Sequence, residues 1–319
     1  MRNSIITREQ LLKARETLSK LVHKTPVFSS EVIDKKVGAN LYFKCENFQK
    51  TGSFKFRGAS YAVNQLGSDQ KKNGVTTHSS GNHGQALAKA AQLANIKAYI
   101  VMPENAPTVK KQAVRGYGAE VIICESTQAA REKTCSGIQE KTGATFIPPY
   151  DDENVVLGQS TAAQELIDQT EGLDYLLAPV GGGGLLSGTL MAAKYFSPNT
   201  KVIGSEPKGA DDAYRSIKTG KRLPQENPQT IADGLRTSLG EINFEIIREN
   251  IDQILTVEED TIIKALKMIH HHLKIMAEPS CAVPLAAILE NKRHFEGKNV
   301  GIIISGGNVD LDVYYESLK

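Results

Sequence analysis

Apolar and polar positions along this chain switch repeatedly between a helical and a strand period. Thr7 and Gln10 stand at capping-box spacing, and Leu11, Leu12, Ala14, Leu18, Leu21 and Val22 follow at helical intervals. This predicts an amphipathic helix over about residues 8–22, ended by Pro26. Leu41 to Glu46 alternates as a strand and delivers the chain to Lys50-Thr51-Gly52-Ser53-Phe54-Lys55-Phe56-Arg57-Gly58, with a helix expected from about Phe56. Gly74 to His78 reads as a short strand ending in Ser79-Ser80-Gly81-Asn82-His83-Gly84, and the Ala-rich segment Gln85 to Leu93 as a closely packed helix. Strand Ala98 to Met102, a helix from Pro107, strand Glu120 to Cys124, a helix through Arg131 and Ile138, and strand Thr145 to Ile147 continue the alternation up to Pro148-Pro149.

A second block repeats the theme. It holds a helix around Ser160 to Asp168, strand Leu173 to Val180, a helix from Leu185 to Phe196 and strand Val202 to Glu206. Helix Glu258 to Ile275, helix Cys281 to Leu289 and the buried-strand run Val300 to Ile304 complete it. Such alternation implies an α/β protein with parallel sheets flanked by helices. Without an internal repeat, low-complexity tract or linker, two lobes interleaved along the chain fit better than independent beads.

Composition narrows the classes. The 319 residues suffice for two domains, and 40% apolar, 23% charged and a net charge of +2 describe a globular protein with no call for nucleic acid or an anionic membrane as partner. The start, Met1-Arg2-Asn3-Ser4-Ile5-Ile6-Thr7, lacks the apolar stretch of a signal peptide, and no apolar run approaches spanning length, so a cytoplasmic address is expected. Cys45, Cys124, Cys135 and Cys281 lack metal or redox spacing and read as free thiols.

Four loops carry candidate chemistry. Lys55 lies between two phenylalanines and near Arg57, where desolvation and a fixed cation would lower its pKa toward that of a nucleophilic amine; on local sequence alone, a surface lysine resting on the aromatics is the favoured reading. Gly181-Gly182-Gly183-Gly184 follows a strand and opens a helix, a setting for phosphate rather than a flexible turn. It matches neither a P-loop nor G-x-G-x-x-G, which argues against triphosphate hydrolysis and dinucleotide binding there. Ser79 to His83 could converge on a carboxylate or simply cap a helix. Ser305-Gly306-Gly307-Asn308 is a third polar loop after a strand, and loops at strand ends can share one cleft. His270-His271-His272 falls in a helical pattern whose successive side chains diverge, so it reads as solvated surface. Glu206 and Asp212 could supply oxygen ligands to Mg²⁺ or Ca²⁺, but by spacing alone a capped helix start at Asp211 or Asp212 is the better reading.

Taken in order, Ser53-Phe54-Lys55-Phe56-Arg57-Gly58, the serine loop, the tetraglycine loop and Ser305-Gly306-Gly307-Asn308 resemble those of fold-type II pyridoxal-phosphate enzymes, the tryptophan synthase β-like group. With Phe43 to Lys50 and Glu206 to Asp212 included, the chain resembles over nearly its full length the eukaryotic serine racemase group, which also contains serine and 3-hydroxyaspartate dehydratases. The resemblance implies two open, parallel-rich twisted sheets, with residues 1–68 and 150–319 forming a large cofactor domain and 69–149 a small one. It implies that Lys55 carries the cofactor, that Gly181 to Gly184 and Leu185 hold its phosphate, that Asn82 bonds its phenolic oxygen, that Phe54 packs on its ring and that Ser305 faces the pyridine nitrogen. Substrate contacts would come from Ser79, Ser80, Asn82, His83, Arg131 and Thr237, where the threonine methyl replaces a serine found in relatives.

The implied reaction is racemisation of serine and dehydration of L- or D-serine to pyruvate and ammonia, with Lys55 and Ser80 exchanging protons on opposite faces of the α-carbon. Threo-3-hydroxyaspartate or L-threonine dehydration is the nearest alternative, and a non-catalytic phosphate- or nucleotide-binding protein is the alternative from another class. The resemblance also implies a divalent cation (Mg²⁺, or Ca²⁺ or Mn²⁺) at Glu206, the Ala210 carbonyl and Asp212, ATP at Gln85, Tyr117, Lys274 and Asn308, and a homodimer.

Overall fold

A computed structural model describes residues 6–317, so most of the start read for a signal peptide, residues 1–5, lies outside the described residues. Ten strands are β1 (Val27–Phe28), β2 (Asn40–Cys45), β3 (Val75–His78), β4 (Ala98–Pro103), β5 (Glu120–Cys124), β6 (Thr145–Phe146), β7 (Tyr175–Pro179), β8 (Lys201–Pro207), β9 (Gln253–Val257) and β10 (Asn299–Ile304). Six form a sheet in the order β1-β2-β10-β7-β8-β9, parallel except for the antiparallel β1–β2 pair. The other four form an all-parallel sheet in the order β5-β4-β3-β6.

The apolar runs explain the layering. Along β7, Leu176 and Ala178 belong to one buried cluster while Tyr175 and Leu177 belong to another, so this strand has apolar packing on both faces, as a central parallel strand requires. Helices Lys55–Asn64, Glu153–Gln169 and Gly184–Phe196 pack in the first cluster, and helices Glu259–Met268 and Pro279–Glu290 in the second.

Several element boundaries differ from the periodicity. The first helix, Arg8–Leu18, has the expected Thr7–Gln10 capping box but stops before residue 22. The amides of Leu21 and Val22 both donate to Leu18 O in a tight turn, and Val22 remains in the core outside the helix. The helix expected over 258–275 ends at Met268 and widens into a π turn, Ile269–Leu273, which buries both Ile269 and Leu273 and is terminated by Lys274 at φ +58°. The three histidines are spread around that turn, with His272 Nε2 3.3 Å from Lys36 Nζ, and no metal cluster forms there among the described residues. Strand β9 and helices Glu31–Val37, Ser68–Asn73 and Glu241–Asn250 carry patterns too short or too polar to stand out in the sequence.

What matters for function is where the strands point. The carboxyl ends of β2, β3, β7 and β10 lead respectively into the Lys55 segment, the serine loop, the tetraglycine loop and Ser305. This is the end of a parallel sheet at which ligands collect.

Candidate active site

Lys55 is the first residue of its helix, and its Nζ donates to Pro149 O at 2.7 Å. The amine stands 5.1 Å from the Phe54 ring centre and 5.6 Å from that of Tyr150. Burial lowers its pKa to about 8, opposed by the charge of Glu278. The cation expected to help, Arg57, faces elsewhere: its guanidinium is fully buried and forks onto Glu46 at 2.7 and 2.8 Å and onto Glu165 at 2.8 Å. A helix turns 100° per residue, so a position two residues on presents its side chain on the far side. Desolvation, rather than Arg57, accounts for the shift.

Backbone ties set this turn against its neighbours. Phe54 N–H donates to Ser305 O at 2.9 Å, and Ser53 bridges Gly306, so the Lys55 segment is stitched to the Ser305 loop. Across the cavity, the tetraglycine loop enters helix Gly184–Phe196 with Gly183 at φ +89°, a conformation that favours glycine. A Cβ on Gly182 would lie 2.3 Å from the Tyr150 ring. Gly182 O is held by Gly240 N–H at 3.1 Å and Asn243 Nδ2 at 2.8 Å.

These groups line one cavity of about 390 Å³ together with Ser79, Ser80, Asn82, His83, Arg131, Thr237, Leu185 and Asn308. Among the residues it also holds that sequence reasoning missed are Lys110, Tyr150 and Glu278. Tyr150 follows the two prolines read as a block end, and Glu278 precedes a proline that opens a helix; an aromatic or acid at such a junction is the only local signal.

Glu278 organises the serine loop. Its oxygens accept Asn82 Nδ2 at 2.8 and 3.1 Å and Asn308 N–H at 3.0 Å, while Asn308 Nδ2 donates to Asn82 Oδ1 at 2.9 Å. Burial raises its carboxyl to about 7 against the pull of Asn82. The Asn82 amide is thereby fixed in orientation, with its oxygen occupied and its NH₂ group the side that can still donate. His83 Nε2 donates to Ile147 O at 2.9 Å, which fixes the tautomer and leaves Nδ1 as a bare acceptor. Burial and the nearby Lys55 push its pKa down to about 3, so the ring is neutral. A neutral acceptor does not attract a carboxylate, and any help from His83 falls to its backbone N–H, which lies in the first turn of helix Asn82–Ala94, where amides lack intrahelical partners.

The chemistry of the set fits pyridoxal phosphate. An amine of lowered pKa suits its aldehyde, a glycine cradle at a helix start suits its phosphate, and a hydroxyl at Ser305 suits its ring nitrogen. Residues 18–306 match the model of a family described as pyridoxal-phosphate dependent enzyme. The chain belongs to that family. This pyridoxal-phosphate-dependent enzyme is 50% identical over 311 residues to a serine racemase from Dictyostelium discoideum, covering 96% of each chain. It is 46% identical over 308 residues to a β-hydroxyaspartate dehydratase from Paracoccus denitrificans, covering 97% of this chain and 98% of that one. The crystal structure of the Dictyostelium serine racemase superposes with a TM-score of 0.91 at 49% identity, covering 95% of this chain and 98% of that one.

Two further groups of residues, Asn308 excepted, lie outside the cavity wall. Glu206 and Asp212 are fully buried at the end of β8 and the start of helix Asp212–Thr219. Glu206 accepts the amides of Ala213 and Tyr214 at 3.2 and 2.8 Å, Asp212 Oδ2 accepts Leu239 N–H at 2.8 Å, and Asp212 Oδ1 has no partner among the described residues. Burial raises both carboxyls, that of Asp212 to about 6. An orphaned, buried carboxylate oxygen beside a second carboxylate fits a divalent cation. Of the residues expected to hold ATP, Gln85 is half-buried in helix Asn82–Ala94, Tyr117 lies under Lys89 Nζ at 5.4 Å and Lys274 is exposed, whereas Asn308 belongs to the Glu278 network in the cavity.

Proposed function

We propose that this enzyme racemises serine and eliminates water from L- and D-serine. The observation that carries the reading is that Lys55, Ser80, the tetraglycine loop and Ser305 line one cavity. When bound, pyridoxal phosphate supplies the electron sink that makes the substrate α-proton acidic. Of the residues lining the cavity, Gly181 to Gly184 and Leu185 would hold its phosphate, Phe54 would pack on its ring, Asn82 would donate to its phenolic oxygen and Ser305 would meet its ring nitrogen. Backbone amides of the serine loop, with Ser79 and Ser80, bind the substrate carboxylate at a helix start. Lys55 removes the α-proton from one side, and Ser80 returns or removes one on the other. Elimination needs one α-proton removal, by Lys55 from L-serine or by Ser80 from D-serine, after which the β-hydroxyl leaves with a proton as water and the aminoacrylate released hydrolyses to pyruvate and ammonia.

Two tests decide this. Protein loaded with the cofactor shows an absorbance band near the visible edge that Lys55→Ala abolishes; a colourless wild type supports the non-catalytic alternative instead. Ser80→Ala forms no D-serine yet still dehydrates L-serine, and equal racemisation by this variant defeats the two-face mechanism.

A specific observation favours a second substrate. Lys110 and Arg131 line the cavity without an ion pair to any carboxylate among the described residues, and Arg131 Nε is buried without a partner. Such cations suit a β-carboxylate, so threo-3-hydroxyaspartate ranks beside serine, ahead of threonine, whose methyl offers them nothing. Arg131→Met is expected to reduce kcat/KM for 3-hydroxyaspartate far more than for serine; equal losses on both remove this reading. We also read Glu206, the Ala210 carbonyl and Asp212 as the site of Mg²⁺, with Gln85, Tyr117, Lys274 and Asn308 serving ATP in a cytoplasmic homodimer with 69–149 as its mobile small domain. Measuring D-serine and keto acids formed from L-serine, D-serine, L-threonine and threo-3-hydroxyaspartate with and without Mg²⁺ and ATP tests the cation and the nucleotide, and sedimentation of the protein tests the dimer.

A further inference from the structure

Cys281 lies in the first turn of helix Pro279–Glu290, fully buried. Its Sγ is 3.2 Å from Ser305 Oγ, accepts Gly306 N–H at 3.1 Å and donates to Gly306 O at 2.8 Å. Burial pushes the thiol up to about 12, so it keeps its proton. Gly306 O also receives Glu278 N–H at 3.0 Å and stays satisfied if the thiol turns away. The single S–H proton therefore has two acceptors within reach. Pointed at Gly306 O, it leaves a sulfur lone pair for the Ser305 proton, and the serine presents lone pairs to the cavity. Pointed at Ser305 Oγ, it drives the serine proton outward into the cavity. Among the described residues Cys281 is the only hydrogen-bond partner of that hydroxyl.

We propose that Cys281 is a positioning residue that allows the Ser305 hydroxyl to act either as donor or as acceptor toward a heteroaromatic nitrogen in the cavity. The proposal rests on the pyridoxal-phosphate reading above. A hydroxyl restricted to donating stabilises a bare ring nitrogen; one that can park its proton on sulfur also tolerates a protonated nitrogen. Cys281 thus sets how strongly the cofactor ring can draw electrons at a given pH, without touching substrate.

The test uses holoenzyme carrying cofactor labelled with ¹⁵N in the ring, whose chemical shift reports nitrogen protonation directly. Relative to wild type, Cys281→Ala is expected to shift the protonated-to-bare ratio toward bare by about three- to tenfold, the worth of one neutral hydrogen bond. Cys281→Ser, which keeps a donor and an acceptor, is expected to restore it. In a Ser305→Ala background, adding Cys281→Ala is expected to shift nothing further. An unchanged ratio in Cys281→Ala, a Cys281→Ser ratio equal to that of Cys281→Ala, a wild-type nitrogen that is bare at every pH, or an undiminished shift in the Ser305→Ala background overturns the proposal. Loss of the Lys55-dependent absorbance band in wild type would instead strike the reading beneath it, so the two failures are separable.

Discussion

Replacing Arg57 by methionine tests the framework behind the reactive lysine. Arg57 sits in a buried quartet with Glu46, Glu165 and Lys44, two cations and two anions. Lys44 Nζ adds bonds to Glu165 at 2.6 Å, Gln169 at 2.6 Å and Thr25 O at 2.8 Å. Without the guanidinium, among the described residues Glu46 keeps only the Thr25 hydroxyl at 2.6 Å, and Glu165 keeps Lys44 alone. Breaking one partner of a buried pair costs about 3–5 kcal/mol, because a charge is left uncompensated out of water. With about 2.1 cal/mol/K per residue, a chain of 319 residues loses roughly 1.5 °C of Tm per kcal/mol, so a fall of about 4–8 °C is expected. Acid sensitivity should change as well. Burial pushes Glu165 up, but Arg57 and Lys44 outweigh it and hold the carboxyl below its ordinary value. Its contribution to stability is therefore present above the unfolded-state pKa and lost as pH falls through the lower folded value. The variant should begin to unfold at a higher pH. Thermal melts followed by circular dichroism at neutral and acid pH read both effects. A melting change below about 1 °C, or an unaltered acid limb, would refute the uncompensated-charge argument. Since Arg57 does not act on the Lys55 amine, the pH at which that amine titrates should stay where it is.

Three further outcomes follow from the site. Gly182→Ala places a Cβ 2.3 Å from the Tyr150 ring, so an overpacking cost of about 1–3 kcal/mol and weaker cofactor retention are expected; dialysis followed by absorbance measures the latter, and wild-type retention would show that the ring yields freely. The Lys55 pKa of about 8 lies below its unfolded value, so in the apoprotein the unfolded state binds the extra proton between the two and stability rises with pH across that window; denaturant titrations at a series of alkaline pH values check the sign, though Lys55→Met must remove the rise. Mg²⁺ is expected to raise the Tm of wild type, by about 2.7 kcal/mol of stability at a hundredfold excess over its Kd, and to leave Asp212→Asn unmoved; an equal rise in both would take the cation away from Asp212.

The alternation of periods made the α/β architecture legible, because a buried parallel strand such as Val300 to Ile304 and an Ala-rich helix such as Gln85 to Leu93 write different patterns. Strand β9 was not legible: Gln253–Val257 is five residues of mixed polarity at the outer edge of the six-stranded sheet, where pairing on one side suffices. The glycine and serine loops stood out for a different reason. Their residues are unusual for what they lack, a side chain or an apolar surface, and that lack needs a ligand or a turn to explain it. Glu278, Lys110 and Cys281 carry no such mark, since an acid before a proline, a lysine in a helix and a cysteine in an apolar run are each ordinary locally. They become chemical only when the fold brings residues 30 apart, Glu278 and Asn308, or 24 apart, Cys281 and Ser305, within hydrogen-bond distance. Local sequence also gave Lys55 the wrong helper. Adjacency along the chain suggested Arg57, but helical rotation carries that side chain into the quartet and away from the amine. The amine is tuned instead by being withdrawn from water between Phe54 and Tyr150. A reactive lysine at a helix start is thus set by what covers it, and what covers it comes from residue 150, which no window around Lys55 contains.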